Sequence, residues 1–198
     1  MGLKVATVDL GGWDTHAGQI AGTATTGHFA GLLSTLSTGL YAFYSDLAAE
    51  ATNYIDRVTI VVMSEFGRRL RENSDNGTDH GHGSMMLMLG GKVNGGLRGT
   101  WPGLHPDQLY DAADLAVTVD YRRVLSEILI RRMETPKLGQ IFPHYANHQP
   151  LDLVEGEDLP IDYTIPDTGG NTDGNTGGGV DDGAPDPYKV YVPVINKN

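Results

Sequence analysis

Arg57–Met63, RVTIVVM, is an apolar run nearly continuous in β-branched residues, and it opens directly into Ser64-Glu65-Phe66-Gly67-Arg68-Arg69. A strand covered on both faces reads as an unbroken run of this kind, whereas a half-solvated strand alternates. The run therefore predicts a buried strand. Upstream, Leu3–Leu10 is short, β-branched and closed by Gly11-Gly12, which predicts another. Downstream, Ser84–Leu89 (SMMLML) predicts a third, with its methionines as core residues. Between the first two runs, Phe29, Leu32, Leu33, Leu36, Leu40, Phe43, Tyr44 and Leu47 recur at helical spacing. They predict a helix of about six turns with one apolar stripe. After a Gly-, Trp- and Pro-rich loop (90–109), Asp120 is the expected N-cap of a second helix. That helix turns Val124, Leu125, Ile128 and Leu129 inward and carries Arg131 and Arg132 in its last turn, where a positive charge suits the helix dipole. Strand, helix, strand, strand, helix is an α/β order, so the expected fold is a mostly parallel sheet flanked by helices. In such sheets ligands sit beyond the carboxyl ends of the strands.

Charge divides the chain unevenly. Of the net charge of −11, residues 151–198 carry −8, with ten acids against Lys189 and Lys197. Residues 1–150 are nearly neutral and offer no basic face, which excludes a nucleic-acid partner. The absence of cysteine excludes thiol catalysis, disulfides and zinc–thiolate sites, leaving His and carboxylates as the strong metal ligands. No apolar run reaches the ~20 residues of a transmembrane segment. No signal peptide is visible, and a chain that begins inside a strand is expected to lack something upstream. The expected domains are a folded unit at 1–150, an acidic Gly/Asp/Thr-rich linker at 151–187 that stays disordered, and a short β-like C-terminal segment at 188–198. That last segment reads as a sorting or cell-surface attachment tail, or alternatively as an edge strand docking back.

Three polar clusters each adjoin an expected strand. Gly11-Gly12-Trp13-Asp14-Thr15-His16 places a carboxylate and an imidazole two residues apart, on one side of an extended backbone. By itself this pair reads first as structural, with Asp14 capping a turn and His16 satisfied nearby. In Ser64–Arg69, Glu65 suits a ligand or general base, and Arg68 an anion contact through its fork of donors; a surface Glu–Arg pair is the alternative. Gly77-Thr78-Asp79-His80-Gly81-His82-Gly83 packs two histidines and an aspartate into four residues between glycines. His80 and His82 can face one ion, with Asp79 ligating or orienting a ring. The expected metal ligands are thus Asp14, His16, Glu65, Asp79, His80 and His82. His28, His105, His144 and His148 have no partner at ligand spacing and read as surface or loop residues.

Taken in order, LGGWDTH (10–16), MSEFGRR (63–69), GTDHGHG (77–83), MLGG (88–91), WPGL (101–104) and DLAVTVDYRRVLSEIL (114–129) resemble the bacterial family known as domain of unknown function 1501. The resemblance implies kinship with the alkaline phosphatase and sulfatase superfamily. Residues 1–150 would then be the C-terminal half of an α/β/α sandwich whose N-terminal part is missing. It further implies a metal-dependent hydrolase of phosphate or sulfate esters acting on a small anionic ester, exported to the cell envelope or the extracellular space. The alternative is a ligand-binding envelope protein that keeps the fold without the chemistry. The superfamily's nucleophile lies in the absent half, so no residue here is assigned that role. Phe66 stands where a second metal's histidine would be, so one divalent ion per chain is expected, with zinc or manganese suiting the mixed N/O ligands.

Overall fold

The computed structural model describes residues 3–20, 25–49, 51, 53–166 and 193–194. Helix α1 spans His28–Leu47, strand β1 Ile60–Val62, β2 Gly67–Arg68, β3 His80–Gly81, β4 Leu87–Leu89 and β5 Gly96–Leu97. Helix α2 spans Tyr121–Met133, the single turn α3 Leu138–Ile141 and β6 Pro193–Val194.

Both predicted helices form. Asp120 caps α2 by accepting from the Arg122 backbone N–H at 2.8 Å, satisfying one of the orphan donors of the first turn. Val124 and Ile130 are buried, while Leu125 and Ile128 pack partly buried at the core's edge. Helix α1 has no buried residue: Leu32, Leu36, Leu40 and Leu47 are partly buried, while Leu33 and Phe43 are exposed.

The parallel α/β sheet does not form among the described residues. The strands make three two-stranded antiparallel pairs, so the α/β sandwich expectation is overturned. β1 pairs with β4 through Ile60↔Leu89, Val61↔Met88 and Val62↔Leu87. β2 pairs with β3 through Gly67↔Gly81 and Arg68↔His80, and β5 with β6. Leu3–Leu10 is no strand: it pairs with nothing described, and Leu3 and Val8 are 86% and 89% exposed. A short apolar run carries the side-chain pattern of a buried strand, but strand formation also needs a neighbour for its N–H and C=O groups. RVTIVVM finds one only over three residues.

The core sits elsewhere. Met86, Met88, Val119, Val124, Leu153 and Val154 are its buried members, with Val61, Val93, Tyr121 and Leu151 packed around them. Met85, expected beside them, is half exposed. Residues 151–158 thus do not belong to a linker. They form a strap whose Leu153 and Val154 are fully buried, each contributing about 1.5–3 kcal/mol of apolar burial. The strap is bound along its length. Val93 bridges Val154, Asn94 N–H donates to Leu153 O at 2.8 Å, and Glu155 N–H donates to Lys92 O at 2.9 Å. The stretch 167–187 lies outside the described residues. Of the tail segment 188–198, Pro193–Val194 pairs with β5 and the remainder also lies outside them. No helix among the described residues is long and apolar enough to cross a membrane.

Candidate metal centre

Two loops far apart in sequence are stitched together beside the β2–β3 pair. Gly18 N–H donates to Asp75 O and Gln19 N–H to Asn76 O, at 2.9 and 2.8 Å, and Thr78 N–H reaches Thr15 O at 3.3 Å. Gln19 Oε1 accepts from both the Thr15 and Thr78 hydroxyls, at 3.0 and 2.7 Å. The seam tolerates no side chain at Gly77, where a Cβ would collide with the His16 carbonyl. Gly81 is equally constrained by the Arg68 backbone across the ladder. The glycines that alternate with histidines in GTDHGHG are therefore close-approach positions. The start of α1 docks on the same seam: Phe29 meets Trp13 edge to face with centroids 5.7 Å apart, and His28 Nε2 lies 3.3 Å from Gly12 O.

The consequence is a surface cluster of three candidate ligands. Asp14 Oδ1 lies 3.0 Å from His16 Nε2 and 2.7 Å from His80 Nε2, and one ligand atom from each of the three residues falls within 4.8 Å of the others. His16 turns its other nitrogen, Nδ1, to Asp79 Oδ1 at 3.0 Å. Asn73 holds that same carboxylate oxygen at 3.0 Å and the His16 carbonyl at 2.8 Å. Phe66 stacks flat on His80, with centroids 4.0 Å apart at 10°, fixing the plane of the ring. Hydrogen bonding to His80 holds the Asp14 carboxyl below the usual carboxylate range, and hydrogen bonding to His16 does the same for Asp79. Both acids are thus ionised at neutral pH.

A neutral imidazole has one N–H, yet both nitrogens of His16 face carboxylate oxygens. If Nδ1 donates to Asp79, the Nε2 lone pair points at Asp14 and needs a cation between them: a proton or a metal ion. Carboxylate, histidine and ion in line is the arrangement by which metal-bound imidazoles are oriented. Tetrahedral bonds of about 2.0–2.1 Å put neighbouring ligand atoms about 3.3 Å apart, so Asp14 Oδ1, at 3.0 and 2.7 Å from the two ring nitrogens, has to withdraw from them by roughly 0.3–0.6 Å. The donor set fits a divalent ion.

The other expected site residues fall outside the trio. Glu65 is exposed and away from it. His82, on the far side of Gly81, stacks on Tyr110 with centroids 3.8 Å apart. Arg68 lies at the trio, but its donors are engaged: it donates to the Thr78 carbonyl, to Trp13 O at 2.5 Å and to Asp14 Oδ1 at 3.3 Å. It acts as a clamp that closes the two loops over the Asp14 carboxylate. Asn73 was not legible as a site residue; its only sequence signal is its place four residues before Gly77, whose N–H its side chain also accepts at 3.0 Å.

No curated protein and no solved structure matches the chain. A family model described as protein of unknown function (DUF1501) matches residues 1–138, a span that holds every residue of the cluster and stops short of the strap. The chain belongs to the DUF1501 family.

Proposed function

We propose that Asp14, His16 and His80 hold one divalent cation at the surface, with Asp79 and Asn73 orienting His16 and Phe66 orienting His80. The observation that carries this reading is the convergence of three ligand atoms, one from each residue, within 4.8 Å. The side chains of the trio remain about half exposed, so a further coordination position faces solvent. Bound there, zinc or manganese supplies Lewis acidity toward an ester oxygen and a water acidified toward neutrality. The finer reading is therefore a hydrolase of small phosphate or sulfate esters, its chemistry built on this centre. Within it the residues of this chain have defined tasks. Asp14 presents one anionic oxygen to both rings, Asp79 keeps the His16 tautomer, and Arg68 fixes the Asp14 carboxylate in place. One observation favours a second reading, a binding protein without turnover: Arg68 spends its fork on backbone carbonyls and Asp14.

The test is metal content after dialysis for the parent, Asp14→Ala, His80→Ala and His105→Ala. His105 caps the turn Pro106–Gln108 and lies outside the trio, so its variant is the control. About one ion per chain in the parent and control, and little in the other two, supports the reading. Equal occupancy in all four, or none in any, means that the cluster is structural.

A further inference from the structure

The geometry points to a second ligand site: a surface cavity lined by Arg69, Arg71, Ala112 and Ala113, which we infer binds a small tetrahedral dianion. The cavity is open to solvent and has a volume of about 250 Å³, below the ~300 Å³ at which sites for drug-sized ligands begin, so it suits a group the size of phosphate or sulfate. Both arginines have uncommitted donors. Arg71 is exposed and makes no ion pair or side-chain hydrogen bond among the described residues. Arg69 is held through its backbone, whose N–H donates to Asp79 O at 3.0 Å, and through an ion pair of its guanidinium with Asp114. Its nearest carboxylate, Asp114 Oδ1, is 3.8 Å from Nε, too far for a hydrogen bond. Asp114 is itself 91% buried, and that oxygen has no hydrogen-bond partner, so it orients Arg69 by charge without consuming its donors.

The turn that carries the two alanines is unusual. Asp111 and Ala112 both adopt left-handed backbone, with φ of 50° and 52°, a conformation that alanine avoids. Two such residues in succession cost stability and persist where a surrounding structure enforces them, as at ligand clamps. Here the turn is pinned by Ala113 and Asp114 N–H groups donating to Tyr110 O, and by Leu70 N–H donating to Ala113 O. The latter bond ties the turn to the segment that carries both arginines. The two guanidinium groups are the only charged side chains that line the cavity among the described residues, while Asp79, Asp111 and Asp114 lie on the segments behind it. Paired forks match the oxygens of a tetrahedral anion as lysines do not. The inference does not rest on the cation centre, which uses other side chains.

The test is titration of the full chain, dialysed against chelator, with inorganic sulfate, inorganic phosphate and methyl phosphate, followed by calorimetry. Arg71→Gln and Arg69→Gln should each weaken binding by about tenfold or more, since each loses charge-assisted hydrogen bonds. Arg57→Gln should match the parent. Methyl phosphate binding as well as phosphate assigns the site to the head group of an ester; preference for the free anions assigns it to inorganic ligands. Unchanged affinity in both arginine variants, or no binding by the parent, overturns the inference. Because Arg71 is exposed, its variant keeps the parent's melting temperature, which separates loss of binding from loss of folding.

Discussion

Replacing Glu127 by alanine should detach the strap from α2. Glu127 is fully buried, and its carboxylate accepts four hydrogen bonds. Oε1 takes the N–H of Leu153 at 2.5 Å, that of Val154 at 3.2 Å and Arg131 Nη1 at 3.0 Å, while Oε2 takes the Leu151 N–H at 2.7 Å. Alanine strands three backbone donors, two of them within the core, and each unsatisfied buried donor costs about 1–3 kcal/mol. Arg131 loses a buried partner, a loss that costs about 3–5 kcal/mol when nothing replaces it. Here something does: Arg131 also reaches Asp158 at 2.7 Å and Asp152 at 3.2 Å. The terms overlap and are not additive, so we expect about 4 kcal/mol for Glu127→Ala, a large share of the ~5–15 kcal/mol stability of a domain. Glu127→Gln keeps one acceptor but turns an NH2 group toward a backbone N–H, and about 2 kcal/mol is expected. Urea unfolding followed by circular dichroism gives both values from the midpoint shift at constant slope. A Glu127→Ala variant within about 1 kcal/mol of the parent would refute the claim that this carboxylate organises the strap.

Ending the chain at Pro150 removes Leu153 and Val154 from the core, so the shortened protein should lose its cooperative thermal transition; a sharp melt at the parent temperature contradicts this. His148 is 8% exposed, and burial holds its pKa below the usual histidine value of 6.5 against the pull of Glu127. The unfolded chain then binds more protons, so stability is complete above pH 6.5 and falls as acid approaches the folded-state pKa. His148→Phe should flatten that limb of the melting-temperature profile between pH 7 and 5, and an unaltered profile excludes His148 as its source. Asp79→Asn should weaken metal binding by about tenfold without abolishing it, as expected of a group that orients a ligand, and total loss would make Asp79 a ligand itself. Gly81→Ala should disrupt the β2–β3 pair and with it His80, read as lost metal binding alongside a lowered melting temperature.

What the residues determined alone is local. The leucine spacing in 29–47 and the Asp120 cap specify helices because intrahelical bonds join residues four apart, so neighbours in sequence supply every partner. The Gly-, His- and Asp-rich motifs pointed to these loops because imidazoles and carboxylates at short spacing are the strong metal ligands left to a chain without cysteine. The tertiary structure decided everything that needed a distant partner. RVTIVVM and SMMLML show that they want burial but not that they meet each other antiparallel, and Leu3–Leu10 has the same pattern with nothing described to pair it. Pairing direction leaves no trace in a short apolar run. The strap was hidden for a related reason. Its acids read as part of the linker, and the placement of Glu127 on α2 gives the backbone donors of Leu151, Leu153 and Val154 somewhere to go. The cluster itself narrowed in three dimensions. His80 and His82 are equivalent in sequence, but the ladder sets Arg68 opposite His80, next to Asp14, while His82 faces Tyr110. Strand β3 ends at Gly81, so the alternation that would hold both rings on one side does not extend to His82.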